Sequence, residues 1–299
     1  MTPDAAGQLP SRAVPGGPLV PRRPRFLRVN GIRISYVDIG DGPLILLLHG
    51  LGHSTHGWRK VIAPIAAAGY RVMAVDLPGF GYSDKPGNYT IEMYVDFVTD
   101  WLDLHCVGRA AVVGNSMGGA ITAAFAGLHP DRTGAAVLVD PGGFGKDVTW
   151  LLRLAGLRLV RFLPRRISRR QVRRGLRYVF ANPKLIEDED VDRIVELSDL
   201  PGAREAFLEI AHNAIGLRGV RPGQQLGDIA ARITAPTLVI WGDRDRIIPP
   251  AQAQLANQAI PQAQVAIIEN CGHVPQLEAP ERFTELVLGF LSGSYPPEP

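Results

Sequence analysis

The chain has 299 residues, 46% of them apolar and 20% charged, with a net charge of +3. That length and apolar content exclude a wholly disordered chain and fit one large domain, or one domain carrying an insertion. The small net charge gives no global sign of nucleic-acid binding, two distant cysteines make neither a disulfide scaffold nor a zinc site, and no apolar run reaches membrane-spanning length.

Residues 1–24 carry six prolines with glycines between them, and this composition predicts a Pro/Arg-rich disordered tail. Residues 26–29 and 32–37 read as two strands joined at Asn30-Gly31, a strong hairpin signal. The continuous apolar run 44–48 predicts a strand covered on both faces. A helix is expected from about 58 to 69, then a strand at 71–76. Residues 90–105 have helical apolar spacing, with Thr90 placed as N-cap. A strand at 110–114, an Ala-rich helix at 117–129 and a strand at 135–139 follow. The alternation stops at Asp140, gives way to mainly helical signals, and resumes at Pro236 with strand 237–241, helix 251–259, strand 264–268 and helix 280–291. Alternating strands and helices predict an α/β chain with a mostly parallel sheet flanked by helices. The expected organisation is a core of 25–140 and 233–292, a helical insertion at 141–232 after the sixth strand, and a tail at 293–299.

Chemistry concentrates at Gly114-Asn115-Ser116-Met117-Gly118, between a strand-like and a helix-like run. A serine on so sharp a turn is held in a strained backbone conformation that exposes its Oγ, and the flanking glycines avoid collision. A serine hydroxyl needs a base, and the base needs an orienting acid. His273 follows the strand at 264–268, and Asp245 follows the strand at 237–241. All three residues lie beyond the C-terminal ends of parallel strands, so they can converge at one sheet edge. Asp243 lies two residues before Asp245, and a turn role is its plain reading.

These residues resemble the α/β-hydrolase superfamily over about residues 26 to 291. The resemblance rests on His49-Gly50-Leu51-Gly52, Asp76-Leu77-Pro78-Gly79-Phe80-Gly81-Tyr82-Ser83, the Ser116 turn, and the Asp245 and His273 segments, five motifs in the family's order. It implies an α/β-hydrolase fold, with the insertion serving as a cap domain over the active site. It also implies a catalytic triad of Ser116, Asp245 and His273, and an oxyanion hole formed by the backbone N–H groups of Leu51 and Met117. The acid in such enzymes usually precedes an Arg-Ile/Phe-Val-Pro-like tail, which selects Asp245 over Asp243; the resemblance also makes Asp140 an alternative acid, since some members of the family take theirs from the end of that earlier strand. The implied mechanism is a two-step hydrolysis through an acyl-enzyme, with no metal and no organic cofactor.

The bond cleaved is less sharply marked. The segments around Ser116 and Pro141-Gly142-Gly143-Phe144-Gly145 resemble meta-cleavage-product hydrolases, which break carbon–carbon bonds in ring-opened dienoates. Val274 stands where those enzymes usually have Trp, and Arg193 only loosely matches their carboxylate-gripping cap arginine. The chain is equally similar to bacterial carboxylesterases and lipases, and an esterase acting on a small apolar acyl or carbonyl substrate ranks ahead of the C–C hydrolase. A non-catalytic ligand-binding member of the fold ranks last. His49 is expected to shape the oxyanion loop, and His53 and His56 to be loop residues. The Asp76 to Ser83 motif is expected to be scaffold.

Ten arginines and no acid fall between Arg153 and Arg177, interleaved with leucines. They predict a solvated helical face, with contact to an anionic membrane as the lesser alternative; the acid-rich stretch 187–209 is expected to neutralise part of them. The first residues lack a secretory apolar core, which points to the cytoplasm, with peripheral membrane contact left open.

Overall fold

The structure is a computed structural model that describes residues 25–157 and 166–297. The Pro-rich segment expected to form a tail at 1–24 lies outside the described residues, as does the part of the arginine-rich run at 158–165. In chain order the first half holds β1 (Arg25–Val29), β2 (Ile32–Ile39), β3 (Leu44–Leu48), α1 (Ile62–Ala67), β4 (Arg71–Val75), α2 (Ile91–Leu104), β5 (Ala110–Asn115), α3 (Met117–Leu128) and β6 (Thr133–Val139). A segment of short helices follows: α4 (Trp150–Ala155), α5 (Arg169–Val179), α6 (Asp188–Ser198), α7 (Ala203–Ala214) and α8 (Gly227–Ala230). Within it β7 (Ile215–Gly216) and β8 (Gly219–Val220) form a small antiparallel pair. The chain then returns through β9 (Thr237–Gly242), α9 (Gln252–Ala259), β10 (Gln264–Ile268), α10 (Pro275–Glu278) and α11 (Pro280–Ser294).

Eight strands make one sheet in the order β1-β2-β4-β3-β5-β6-β9-β10. The β1 and β2 pairings are antiparallel, and from β4 to β10 all pairings are parallel. Strand side chains alternate between faces, so each central strand feeds two cores. Leu46, Leu48, Met73 and Val112 pack with Val98, Trp101 and Phe125 on one side. Ile45, Leu47, Val72 and Val113 pack with Ile62, Ile65, Phe283 and Val287 on the other. Both faces are dry, and this explains why β3 reads as five consecutive apolar residues.

The inserted helices have a small core of their own. Val172, Leu176 and Phe180 of the α5 region meet Ile186 and Val191 near α6, and this cluster also takes in Val274 and Leu277. The insertion is therefore packed directly on the turn that follows His273. Two expectations need adjustment. The segment near Trp58 begins as a 3-10 turn at Thr55–Trp58 before α1, because the Ser54 hydroxyl accepts from His56 N–H and tightens the chain there. The tail expected from 293 starts later: α11 runs to Ser294, and Tyr295 is held by its hydroxyl donating to Arg109 O (3.0 Å) and its carbonyl accepting from Tyr70 Oη (3.1 Å).

Candidate active site

Ser116 sits between the last residue of β5 and the first of α3, at φ +57° and ψ −113°. A side chain is strained there, and the turn is closed from three directions. Ser116 N–H donates to Val139 O (2.8 Å), while Ser116 O accepts from Ala120 N–H (3.0 Å) and Gly142 N–H (3.1 Å). The flanking glycines are sterically required. A Cβ on Gly114 would lie 2.0 Å from Gly118 O, and one on Gly118 would lie 2.0 Å from Leu48 O. Such contacts force α3 against the ends of β3 and β5, and that approach leaves Ser116 at the rim of a cavity.

His273 and Asp245 come from the loops after β10 and β9. Asp245 Oδ2 lies 2.7 Å from His273 Nδ1, and both side chains are almost fully buried. The other Asp245 oxygen accepts from Ile247 N–H (2.7 Å) and Ile248 N–H (3.1 Å), so the carboxylate is oriented by its own loop. His273 is fixed through its backbone. Its N–H donates to Val179 O (2.8 Å), and its carbonyl accepts from Asn115 Nδ2 (3.0 Å). Asn115 directly precedes Ser116, and this bond ties the serine turn to the histidine loop. Glu278 braces the same loop from the other side: Oε1 accepts from Gly272 N–H (2.9 Å) and Oε2 from Ala181 N–H (2.7 Å). Burial pushes the Glu278 carboxyl up to about 7, against the pull of these backbone donors.

Asp243 accepts from Cys271 N–H (3.1 Å) and acts as a turn residue. Asp140 lies at the end of β6, fully buried, and accepts from Gly242 N–H through Oδ1 (3.0 Å). Burial first, and then the Asp245 charge, raise its carboxyl well above the ordinary range. Asp140, Asp245 and His273 bring their side-chain heteroatoms within 4.8 Å of one another. Within this group His273 and Asp245 engage each other directly.

Ser116, Leu51 and Met117 line one cavity of about 500 Å³. Its wall includes Val148 and Leu152 before and within α4, Ile210 in α7, Ile215 and Val220 in the β7–β8 pair, and Ile229 in α8. The inserted segment thus supplies much of the enclosure. Among the described lining residues none carries a positive charge, and Glu92 is the one acid. Met117 opens α3, where the first N–H groups have no intrahelical acceptor. Leu51 follows the His49-Gly50 turn. That turn is set by His49, whose Nδ1 pairs with Gly50 O (2.8 Å) and whose Nε2 accepts from Leu77 N–H (3.0 Å). Burial pulls the His49 imidazole below its ordinary value, in keeping with a neutral ring that donates on one side and accepts on the other.

Arg193 is placed differently from the expectation. It is not among the residues that line the Ser116 cavity. Its Nη1 donates to Tyr82 Oη (2.7 Å) and pairs with Glu196 Oε2 (3.0 Å), so Tyr82, in the loop motif read as scaffold, binds the insertion to the core. His56 has a parallel role. With Arg59 it meets Asp190 of α6, at 3.3 Å and 2.8 Å, and Lys60 joins Glu187 (2.6 Å). Spacing alone marked His56 as a plain loop residue, since the acids it meets, Glu189 and Asp190, lie far along the chain in the insertion. Asp76 is scaffold as expected, accepting from Thr55 N–H (2.7 Å) and Tyr82 N–H (3.0 Å).

The fold has known relatives. The family model for the alpha/beta hydrolase fold matches residues 43–280. The chain is an α/β-hydrolase. This α/β-hydrolase is 32% identical over 279 residues to a 2-hydroxy-6-oxononadienedioate/2-hydroxy-6-oxononatrienedioate hydrolase of Comamonas testosteroni, covering 90% of this chain and 96% of that one. Among solved structures it resembles a bacterial membrane phospholipase A (TM-score 0.77, 28% identity, covering 92% of this chain and 87% of that one). It also resembles a putative lipase from Acinetobacter baumannii (TM-score 0.79, 26% identity, 92% of each chain). These neighbours include both ester-directed and C–C hydrolases. No helix among the described residues of the α/β-hydrolase is long and apolar enough to cross a membrane.

Proposed function

We propose that the chain is a serine hydrolase that cleaves a carboxylic ester with an apolar acyl group through an acyl-enzyme on Ser116. The observation that carries this reading is the cavity at Ser116, apolar over most of its wall and without a cation among its described lining residues. A neutral acyl chain leaves water for such a wall at a gain of about 25 cal/mol per Å² buried. A dienoate brings a carboxylate that needs a paired cation, and burying it unpaired costs several kcal/mol. Glu92 makes that cost larger, and Arg193 is already held by Tyr82 and Glu196.

In this mechanism Ser116 Oγ attacks the ester carbonyl while His273 takes its proton. Asp245 holds the imidazole by Nδ1, so that the other ring nitrogen is the base. The backbone N–H groups of Leu51 and Met117 receive the developing oxyanion. The alcohol leaves with the proton held by His273, and water activated by the same histidine releases the acid. The test is kcat/KM on p-nitrophenyl butyrate and on a ring-cleavage dienoate, side by side, with Ser116→Ala as blank. Ester turnover is expected to exceed dienoate turnover by at least a hundredfold; a dominant dienoate rate would reverse the assignment.

We also infer that the arginine-rich face of the insertion meets anionic lipid. Arg169 pairs with Asp188 and Asp192, and Arg173 with Asp188, so the acids of α6 do neutralise part of the run. Arg170, Arg174 and Arg177 lie at helical spacing on α5, exposed and without an ion pair among the described residues. Beside them on α4, Trp150 and Leu154 are 56% and 44% exposed, and the Trp150 ring touches Tyr178 of α5. Exposed aromatic and aliphatic side chains next to unpaired arginines suit an interface. Binding to phosphatidylserine vesicles should exceed binding to phosphatidylcholine vesicles by about tenfold or more, each basic residue contributing about 1 kcal/mol at the surface. Gln at all three positions should abolish the difference, and equal binding of the native chain to both vesicles would remove the inference.

A further inference from the structure

We propose that Asp140 and Asp245 form a two-acid pair holding one proton, and that either carboxylate can orient His273. The inference rests on the reading of Ser116, His273 and Asp245 as a triad and adds a positioning residue to it. The topology brings the two acids together. β6 and β9 are parallel neighbours, Asp140 follows β6 directly, and Asp245 lies three residues past β9. Asp140 N–H continues the ladder to Ile240 O (2.9 Å), and its Oδ1 accepts from Gly242 N–H (3.0 Å). The residue is therefore locked by backbone on both sides.

The side-chain chemistry then decides the proton's place. Asp245 has three donors: Ile247 N–H, Ile248 N–H and His273 Nδ1. Asp140 has one, and its Oδ2 is buried with no hydrogen-bond partner. A buried anionic oxygen without a donor is costly, whereas a protonated one is itself a donor. The oxygens of Asp140 and Asp245 fall within the same 4.8 Å group as His273. Two carboxylates that close in a dry site do not both ionise, so the pair keeps one proton, and Asp245, with three donors around it, is the one that carries the charge. Burial and the Asp245 charge both raise the Asp140 carboxyl, in the same sense. Neutralising Asp245 removes that charge. Asp140 then releases its proton to solvent and its carboxylate takes the His273 N–H.

The test uses three full-length variants, D140N, D245A and D140N/D245A, each checked by thermal melting. D245A places no amide N–H against His273 Nδ1, and the amide introduced by D140N keeps an oxygen for Gly242 N–H. Two readouts are taken: kcat on a soluble p-nitrophenyl ester, and the downfield imidazole N–H proton resonance of His273. D140N is expected to lose severalfold in kcat, D245A less than about a hundredfold, and the double variant about ten-thousandfold, the loss typical of a triad without its acid. The resonance should persist in both single variants and vanish in the double one. A D245A loss of about ten-thousandfold, with the double variant no lower, would overturn the pair, as would loss of the resonance in D245A alone. The resonance reads the pair without any substrate, so an inactive ester assay in the native chain would count against the ester reading and leave this inference to be judged separately.

Discussion

Replacing Ser116 by alanine is expected to lower kcat on a p-nitrophenyl ester by about a millionfold, with KM changed by less than about threefold. The asymmetry follows from what each part of the site touches. Ser116 contributes one hydroxyl to a cavity of about 500 Å³ whose wall is built mainly from aliphatic residues of the insertion and the core. Substrate binding draws on that wall, whereas the proposed covalent chemistry draws on the one hydroxyl held on the β5–α3 turn. The neighbouring hydroxyl of Thr122 is not a substitute, because it is buried and donates to Gly118 O (2.8 Å). Steady-state kinetics on both proteins, matched for thermal stability, check the prediction. A residual rate within a hundredfold of the native one would mean that the reacting group is elsewhere.

The second large effect is expected from Gly118→Ala, and it is structural before it is chemical. The new methyl group would lie 2.0 Å from Leu48 O, 2.6 Å from Leu48 C and 2.8 Å from His49 O. All three are backbone atoms at the end of β3, where the proposed oxyanion loop begins, so no flexible side chain can yield. The start of α3 must move away from β3, and the Leu51 and Met117 N–H groups separate. Overpacking of this kind costs about 3 kcal/mol, which corresponds to a fall in melting temperature of about 6–12 °C for a domain near this size. Loss of one oxyanion donor lowers kcat by about a hundredfold to a thousandfold. Calorimetry and kinetics on the same preparation check both parts. Gly289→Ala is the control, since nothing lies within 4 Å of a Cβ there. A Gly118→Ala protein with native melting and native kcat would contradict the account of the turn.

Much of the fold was legible because its signals are local. The five-residue apolar run of β3, the Asn30-Gly31 turn, the Thr90 cap and the glycines around Ser116 each state their structure within a few residues. The meeting of Asp245 with His273 was legible for a topological reason. Residues after successive parallel strands must share one edge, and their chain order restricted the choice further. The contacts between distant segments were not legible. Arg193 offered a cation in the insertion, but its binding to Tyr82 and Glu196 depends on how the insertion docks. His56 and Arg59 offered no pattern, since their partner Asp190 lies in another element. Asp140 was visible as an alternative acid. That it stands beside Asp245, with one unpartnered oxygen, follows from the adjacency of β6 and β9 and not from spacing. The short β7–β8 pair escaped notice because two-residue strands carry no periodicity.

The central claim is that Ser116 is an activated nucleophile, and covalent labelling tests it most directly. The native chain should react with a fluorophosphonate probe to one equivalent, with the modified peptide mapped to Ser116. Ser116→Ala should remain unlabelled, and prior unfolding should abolish the reaction in the native sequence. Labelling at Ser116 that depends on the folded state is the result the account predicts. A folded native chain that resists the probe, or takes it at another residue, would contradict it and return the cavity to a ligand-binding role.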